Sequence, residues 1–206
     1  MYNTTINSLS KKLSADLPGW QAQKRMSPLK TEKYRQPTKD AMHAAVMVLL
    51  YPDHNHDLNT IYIKRTSHNI NDKHSGQISF PGGKAEDGDS DLIATALRET
   101  HEEIGVNPAN INILGELSPL FVYASNFYVQ PVIGFINEKP SFKLQVSEVD
   151  YIIETRLNTL KNKSAVQFKD HLVRGLKFES MPYYNLNGEV LWGATAMITA
   201  EFLSIL

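Results

Sequence analysis

The 206-residue chain contains no cysteine. Disulfides, thiolate zinc sites and thiol nucleophiles are therefore excluded, while the redox state of its compartment stays open. Charge of one sign is also missing: 21 Lys and Arg stand against 22 Asp and Glu, a formal net charge of −1. A protein that coats nucleic acid through bulk charge needs a strongly basic balance, so nucleic acid is not an expected partner. No segment reaches the roughly 20 apolar residues that span a bilayer. The longest apolar run, Ala44 to Tyr51, suits a buried strand instead. Residues Met1 to Leu17 lack the unbroken apolar stretch of a secretory signal, and Ser204-Ile205-Leu206 lacks the lysine of a peroxisomal tail. The expected location, by elimination, is the cytoplasm, with no membrane partner. The chain shows no internal repeat and no low-complexity tract. With 42% hydrophobic and 21% charged residues, what is present suffices for one globular domain with a sizeable core.

The first 40 residues differ from the rest. Ile6, Leu9, Leu13 and Leu17 recur at near-helical spacing, and Pro18-Gly19 is expected to stop that helix. Polar and basic residues with Pro28 and Pro37 follow, reading as a wrapped arm or linker that serves either for packing or as a flexible extension. From Ala44 onward strands and helices intermix. Strands are expected at 44–50, 60–65, 77–80, 111–117, 127–136 and 149–153, with Pro131 marking an edge or bulge. A short helix is expected from Leu157, a hairpin around Asn187-Gly188, and a closing helix over 194–206. The elements do not alternate as in a doubly wound fold. The expected class is α/β with a mixed sheet between helices.

The stretch Phe80 to Val106, FPGGKAEDGDSDLIATALRETHEEIGV, carries the chemistry. A helix is expected over 91–104. Asp89 or Ser90 would cap its start, Gly105 would end it in the left-handed conformation, and Pro108 bars continuation. Ile93, Leu97, Thr100 and Ile104 form the stripe that faces the core. Glu99, Glu102 and Glu103 fall on the opposite side. Three carboxylates on adjacent turns repel one another, and two of them sit where the helix macrodipole disfavours negative charge. Clustered oxygen ligands of this kind suit magnesium or manganese. Arg98 can reach Glu102 one turn on. Gly82 and Gly83, between a strand and the helix, can bring backbone close to a ligand.

Gly83, Asp89 and the run Arg98-Glu99-Thr100-His101-Glu102-Glu103-Ile104-Gly105-Val106 resemble the Nudix box, G-x5-E-x7-R-E-U-x-E-E-x-G-U, where U is bulky and apolar. Asp89 stands for the first glutamate, one extra residue precedes Arg98, and Thr100 fills an apolar position. The segment His74 to Gly83 is similar to the one that precedes the box in the coenzyme A diphosphatases of this superfamily. Pro131-Val132-Ile133-Gly134, Ser147-Glu148-Val149 and Trp192-Gly193-Ala194-Thr195-Ala196 resemble the same subgroup. One departure stands out. Asp72 occupies the place of the subgroup's arginine four residues before the Gly-Gln pair, and the loop from Arg65 to Gly76 is two residues longer. A carboxylate cannot replace a guanidinium that contacts phosphate.

The resemblance implies a Nudix-type α/β/α sandwich over 41–206 behind a helical arm over 1–40. It implies a metal-dependent hydrolase that cleaves the diphosphate of a small nucleotide substrate, coenzyme A or an acyl-CoA first. ADP-ribose or a nucleotide sugar is the second substrate reading. A nucleotide-sensing module without turnover is a third, against which the intact Arg98-Glu99 and Glu102-Glu103 count. Glu99, Glu102 and Glu103 are then the ligands of Mg2+ or Mn2+, and Arg98 orients them. Glu148, at a loop-to-strand boundary, is a further ligand or the general base, a role for which Glu99 competes. Arg65, Lys73 and His74 are candidate phosphate contacts, joined by Gly82 and Gly83. Phe121, Tyr123 and Phe127 are candidates to stack on an adenine.

Overall fold

The structure, a computed structural model, describes residues 2–28, 35–67, 75–173 and 176–206. Lys73 and His74, the two candidate phosphate contacts in the loop before the glycines, and Asp72 lie outside the described residues.

The apolar run becomes the middle of the sheet. Strand β1 (Met42–Pro52) pairs in parallel with β7 (Phe127–Phe135) along most of its length. Its other edge is shared by two antiparallel partners. β2 (Leu58–Arg65) pairs at Leu50 to Pro52, and β4 (Gly82–Lys84) pairs at Ala44 to Val46. β2 also pairs with β8 (Val149–Arg156) from Asn59 to Arg65, and beyond Thr60 its first edge passes to β3 (Ile78–Ser79). On the far side, β7 meets β5 (Asn112–Glu116) and β6 (Leu120–Val122). The expected mixed sheet is thus present. A second, three-stranded sheet holds β9 (Val166–Val173), β10 (Leu176–Leu186) and β11 (Glu189–Leu191).

Period-two alternation along β1 sends side chains into two cores, and both must be covered. Ala44, Val48 and Leu50 pack with Leu9 of α1 (Tyr2–Leu13) and with Ala196 and Phe202 of the closing helix α5 (Gly193–Ile205). Ala45, Met47, Leu49 and Tyr51 pack with Ala96 and Ile104 of α3 (Leu92–Ile104). Helices on both faces explain why this strand is apolar without interruption. The short helix expected from Leu157 is α4 (Leu157–Lys161), with Leu157 and Leu160 buried.

Several expectations need correction. The first helix ends at Leu13, short of Pro18-Gly19. Strand 77–80 shrinks to Ile78–Ser79, because the chain bends at Pro81 so that Gly82–Lys84 can join β1. Pro131 marks no edge: β7 is interior. It is tolerated because it falls between Val129, which pairs with Leu120 of β6, and Val132, which pairs with Glu116 of β5, and its carbonyl accepts from Leu117 N–H. β6 and β9 had no clear sequence signal. The hairpin at Asn187-Gly188 holds, with φ of 54° and 99° at the two turn residues.

The arm is packed. Ala22, Gln23 and Met26 are buried, in a short helix α2 (Trp20–Gln23) and the single turn after it. Glu201 on α5, with no exposed surface, fastens them: its carboxylate accepts from Gly19 N–H (3.1 Å), Ser118 N–H (3.3 Å) and Gln23 Nε2 (2.8 Å). Replacing this carboxylate leaves three donors without it. Glu201→Ala is expected to cost about 3 kcal/mol in chemical denaturation; a loss below about 1 kcal/mol would show that water replaces it.

Candidate active site

The helix that carries the acidic run starts and stops by local chemistry. Asp91 is its N-cap, accepting from Ala94 N–H at 2.7 Å, in place of the expected Asp89 or Ser90. Asp89 is instead a partner of Arg98. Gly105 ends the helix at φ 72°, as expected. The last carbonyls find partners across space: Glu103 C=O accepts from Gln145 N–H and Ile104 C=O from Lys143 N–H.

Those two bonds also set the place of Glu148. The loop from Gln145 folds so that Glu148 C=O accepts from Thr66 N–H, just past the end of β2. Glu148 is thereby held between β2 and the C-terminal turn of α3, and its charge bears on both Glu99 and Glu103.

Arg98 organises the ridge. Its Nε and Nη2 donate to Asp89 Oδ1 (2.9 Å) and Oδ2 (3.0 Å), a bidentate pair. Nη1 donates to Glu99 (2.9 Å) and Glu102 (3.0 Å), and Nη2 also reaches Lys84 C=O at 3.0 Å. The guanidinium holds the Asp89 carboxyl well below the usual range. The extra residue before Arg98 and the shorter Asp89 side chain are therefore compatible with a closed Asp–Arg–Glu chain.

The three helix glutamates are not equivalent. The expectation that all three face away from the core fails for Glu103, whose side chain is 1% exposed, whereas Glu102 is 53% exposed. Glu103 is held by Gly82 N–H at 2.8 Å and by Arg65 Nη1 at 3.1 Å. Burial still pushes its carboxyl up to about 8, helped by the charges of Glu99 and Glu148. Burial likewise raises Glu99, opposed by Arg98 and reinforced by Glu102 and Glu148.

The glycine pair has a different reason at each position. Gly82 has φ 151°, and a Cβ there would stand 2.3 Å from Ala45 C=O, so pairing with β1 requires glycine. A Cβ on Gly83 would stand 2.5 Å from Glu99 Oε1, so the second glycine makes room for the carboxylate.

Beyond the glycines lies a cavity of about 1180 Å³. Arg65, Gly82 and Gly83 form its border with the acidic ridge, and Phe121, Tyr123 and Phe127 stand in its wall. Sequence reasoning missed the walls that carry Trp20 and Trp192, although the latter opens the segment Trp192 to Ala196 that resembles the coenzyme A diphosphatases.

The donor set suits a hard divalent cation: carboxylate oxygens only, in a partly buried cluster whose members raise one another's proton affinity. Among the described residues, no three acidic or histidine side chains already surround one point. Arg98, Arg65 and Gly82 N–H hold them instead.

The NUDIX domain family matches residues 41–167, which contain the whole ridge. The chain belongs to this family. It is 34% identical over 140 residues to the protein named uncharacterized Nudix hydrolase NudL of Yersinia enterocolitica, covering 68% of this chain and 70% of that one. To the protein of the same name in Pectobacterium atrosepticum it is 38% identical over 123 residues, 60% of this chain and 62% of that one. Among solved structures, a MutT/nudix family protein from Enterococcus faecalis is similar at TM-score 0.49 and 15% identity, over 81% of this chain and 62% of that one. The NUDIX domain of Shewanella oneidensis NrtR, solved with ADP-ribose, is similar at TM-score 0.45 and 20% identity, over 60% of this chain and 77% of that one. The protein is thus a Nudix hydrolase, an enzyme of pyrophosphate bonds in nucleoside diphosphate derivatives. Enzymes of this family generally need divalent metal ions. Among the described residues, no helix is long and apolar enough to cross a membrane.

The glycine pair separates fold from site. Gly83→Ala is expected to displace Glu99 and lower turnover about 100-fold with little change in Tm. Gly82→Ala meets backbone and is expected to lower Tm by several degrees. Equal effects of the two on Tm would refute this division of roles.

Proposed function

We propose that this Nudix hydrolase cleaves the diphosphate of coenzyme A or an acyl-CoA, giving 3′,5′-ADP and a 4′-phosphopantetheine derivative. The observation that carries the reading is the border shared by the acidic ridge and the large cavity at Arg65, Gly82 and Gly83. A diphosphate at that border places its two substituents on the cavity side while its charge meets the ridge. The second reading, an ADP-ribose or nucleotide-sugar diphosphatase, is favoured by Asp72.

Glu99, Glu102 and Glu103 are the proposed holders of Mg2+ or Mn2+. When bound, the cations neutralise diphosphate charge and make a water more acidic. Arg98 keeps Glu99 and Glu102 on one side of the helix, and Asp89 keeps Arg98 from swinging onto the substrate. Gly82 N–H fixes Glu103. Arg65, which donates to Glu103 here, would hold a phosphate oxygen once that carboxylate served a cation. Water oxygen bonds to phosphorus, the bridging P–O bond breaks, and the water's proton passes to a carboxylate. Glu148 is the stronger candidate for that base, because Glu99 is occupied by Arg98.

Incubation with coenzyme A, acetyl-CoA, ADP-ribose and NADH, with products separated by chromatography, tests the reading. Coenzyme A and acetyl-CoA are expected to be consumed fastest, with EDTA stopping turnover and Mg2+ or Mn2+ restoring it. Glu103→Gln is expected to lower the rate roughly a thousandfold with an unchanged circular dichroism spectrum. Preference for ADP-ribose would select the second reading.

A further inference from the structure

The cavity is larger than the reacting group requires. Small-molecule sites commonly span roughly 300–1,000 Å³, and this one holds about 1180 Å³. Its lining is mostly apolar, with Phe121, Phe127, Phe178 and Ile198 among its walls.

The walls also have an unusual origin. The NUDIX match covers 41–167, yet Trp20 and Gln23 come from the arm before it, and Phe178, Trp192 and Ile198 from the segment after it. The flanking segments thus wall a half-open chamber on one face of the sheet, opposite the face that α3 covers. The floor ends at Gly82 and Gly83, a single layer of backbone from Glu103 and Glu99.

We propose that this chamber binds the distal substituent of the substrate, a long and mostly apolar arm, and that residues outside the NUDIX match set this preference. The assignment rests on the diphosphatase reading and deepens it. A purine alone fills a fraction of the space and leaves the apolar walls bare. An arm of many methylene groups covers them and takes that apolar surface out of water. A sugar substituent, hydroxylated on every face, would bury polar groups against phenylalanine and isoleucine.

The chain supplies its own reporter. Its 2 tryptophans, Trp20 and Trp192, both line the chamber. The 3′-dephospho form of octanoyl-CoA and ADP-ribose share ADP and differ only in the group beyond the diphosphate, so titrating the full chain with each in EDTA separates arm from nucleotide. The dephosphorylated octanoyl-CoA is expected to shift tryptophan emission saturably and to bind at least tenfold more tightly than ADP-ribose. Trp20→Phe and Trp192→Phe are each expected to remove part of the signal, and Ala194→Phe, which fills the chamber, to abolish the difference in affinity. Equal affinities, or unmoved emission at saturation, overturn the assignment. Turnover with Mn2+ is measured separately. Hydrolysis with equal affinities leaves the diphosphatase reading standing and removes the chamber assignment. A filled chamber without hydrolysis of any diphosphate does the reverse.

Discussion

Like charge crowded at the end of one helix is the constraint around which the molecule is arranged. Glu99, Glu102 and Glu103 repel one another, and Glu148 adds its charge from a neighbouring loop. Such a cluster persists in a folded protein only when cations or donors offset it. Here the offsets are specific: Arg98 clamped by Asp89, Arg65 at the end of β2, and one N–H from Gly82. Each comes from a different element, so the sheet, the glycine turn and the helix must all be in place for the ridge to form.

That requirement explains features with no obvious catalytic meaning. β2 leaves β1 beyond Thr60 and so carries Arg65 toward Glu103. β4 takes the vacated edge of β1, and the glycine that permits this pairing is the one that holds Glu103. The bonds from Gln145 and Lys143 to the helix end both cap α3 and deliver Glu148. Positioning and stability use the same contacts.

The flanking segments add a second layer. Buried Glu201 binds the arm to α5 and to the loop at Ser118, and these elements wall the chamber. The NUDIX match ends before α5 begins. A NUDIX domain carries the reaction common to its family, and the proposed role of the segments around it is to set the space beyond the diphosphate.

Much of the fold could be read locally. An apolar run without polar interruption dictates a strand covered on both faces, and β1 is such a strand. Asn187-Gly188 dictates a tight hairpin, and Gly105 followed by Pro108 dictates where α3 stops. The Arg-Glu pattern dictates a shared acidic ridge, because helical periodicity is a property of neighbours in sequence. Tertiary contact decided the rest. That Glu103 turns inward depends on Arg65 and Gly82, 38 and 21 residues away, and no periodicity encodes those distances. Pro131 inside an interior strand depends on a gap between two partner strands, and the chamber depends on an arm and a terminal helix meeting through Glu201. Sequence by itself determined which groups are reactive; only the folded chain decided which of them lose water and face one another.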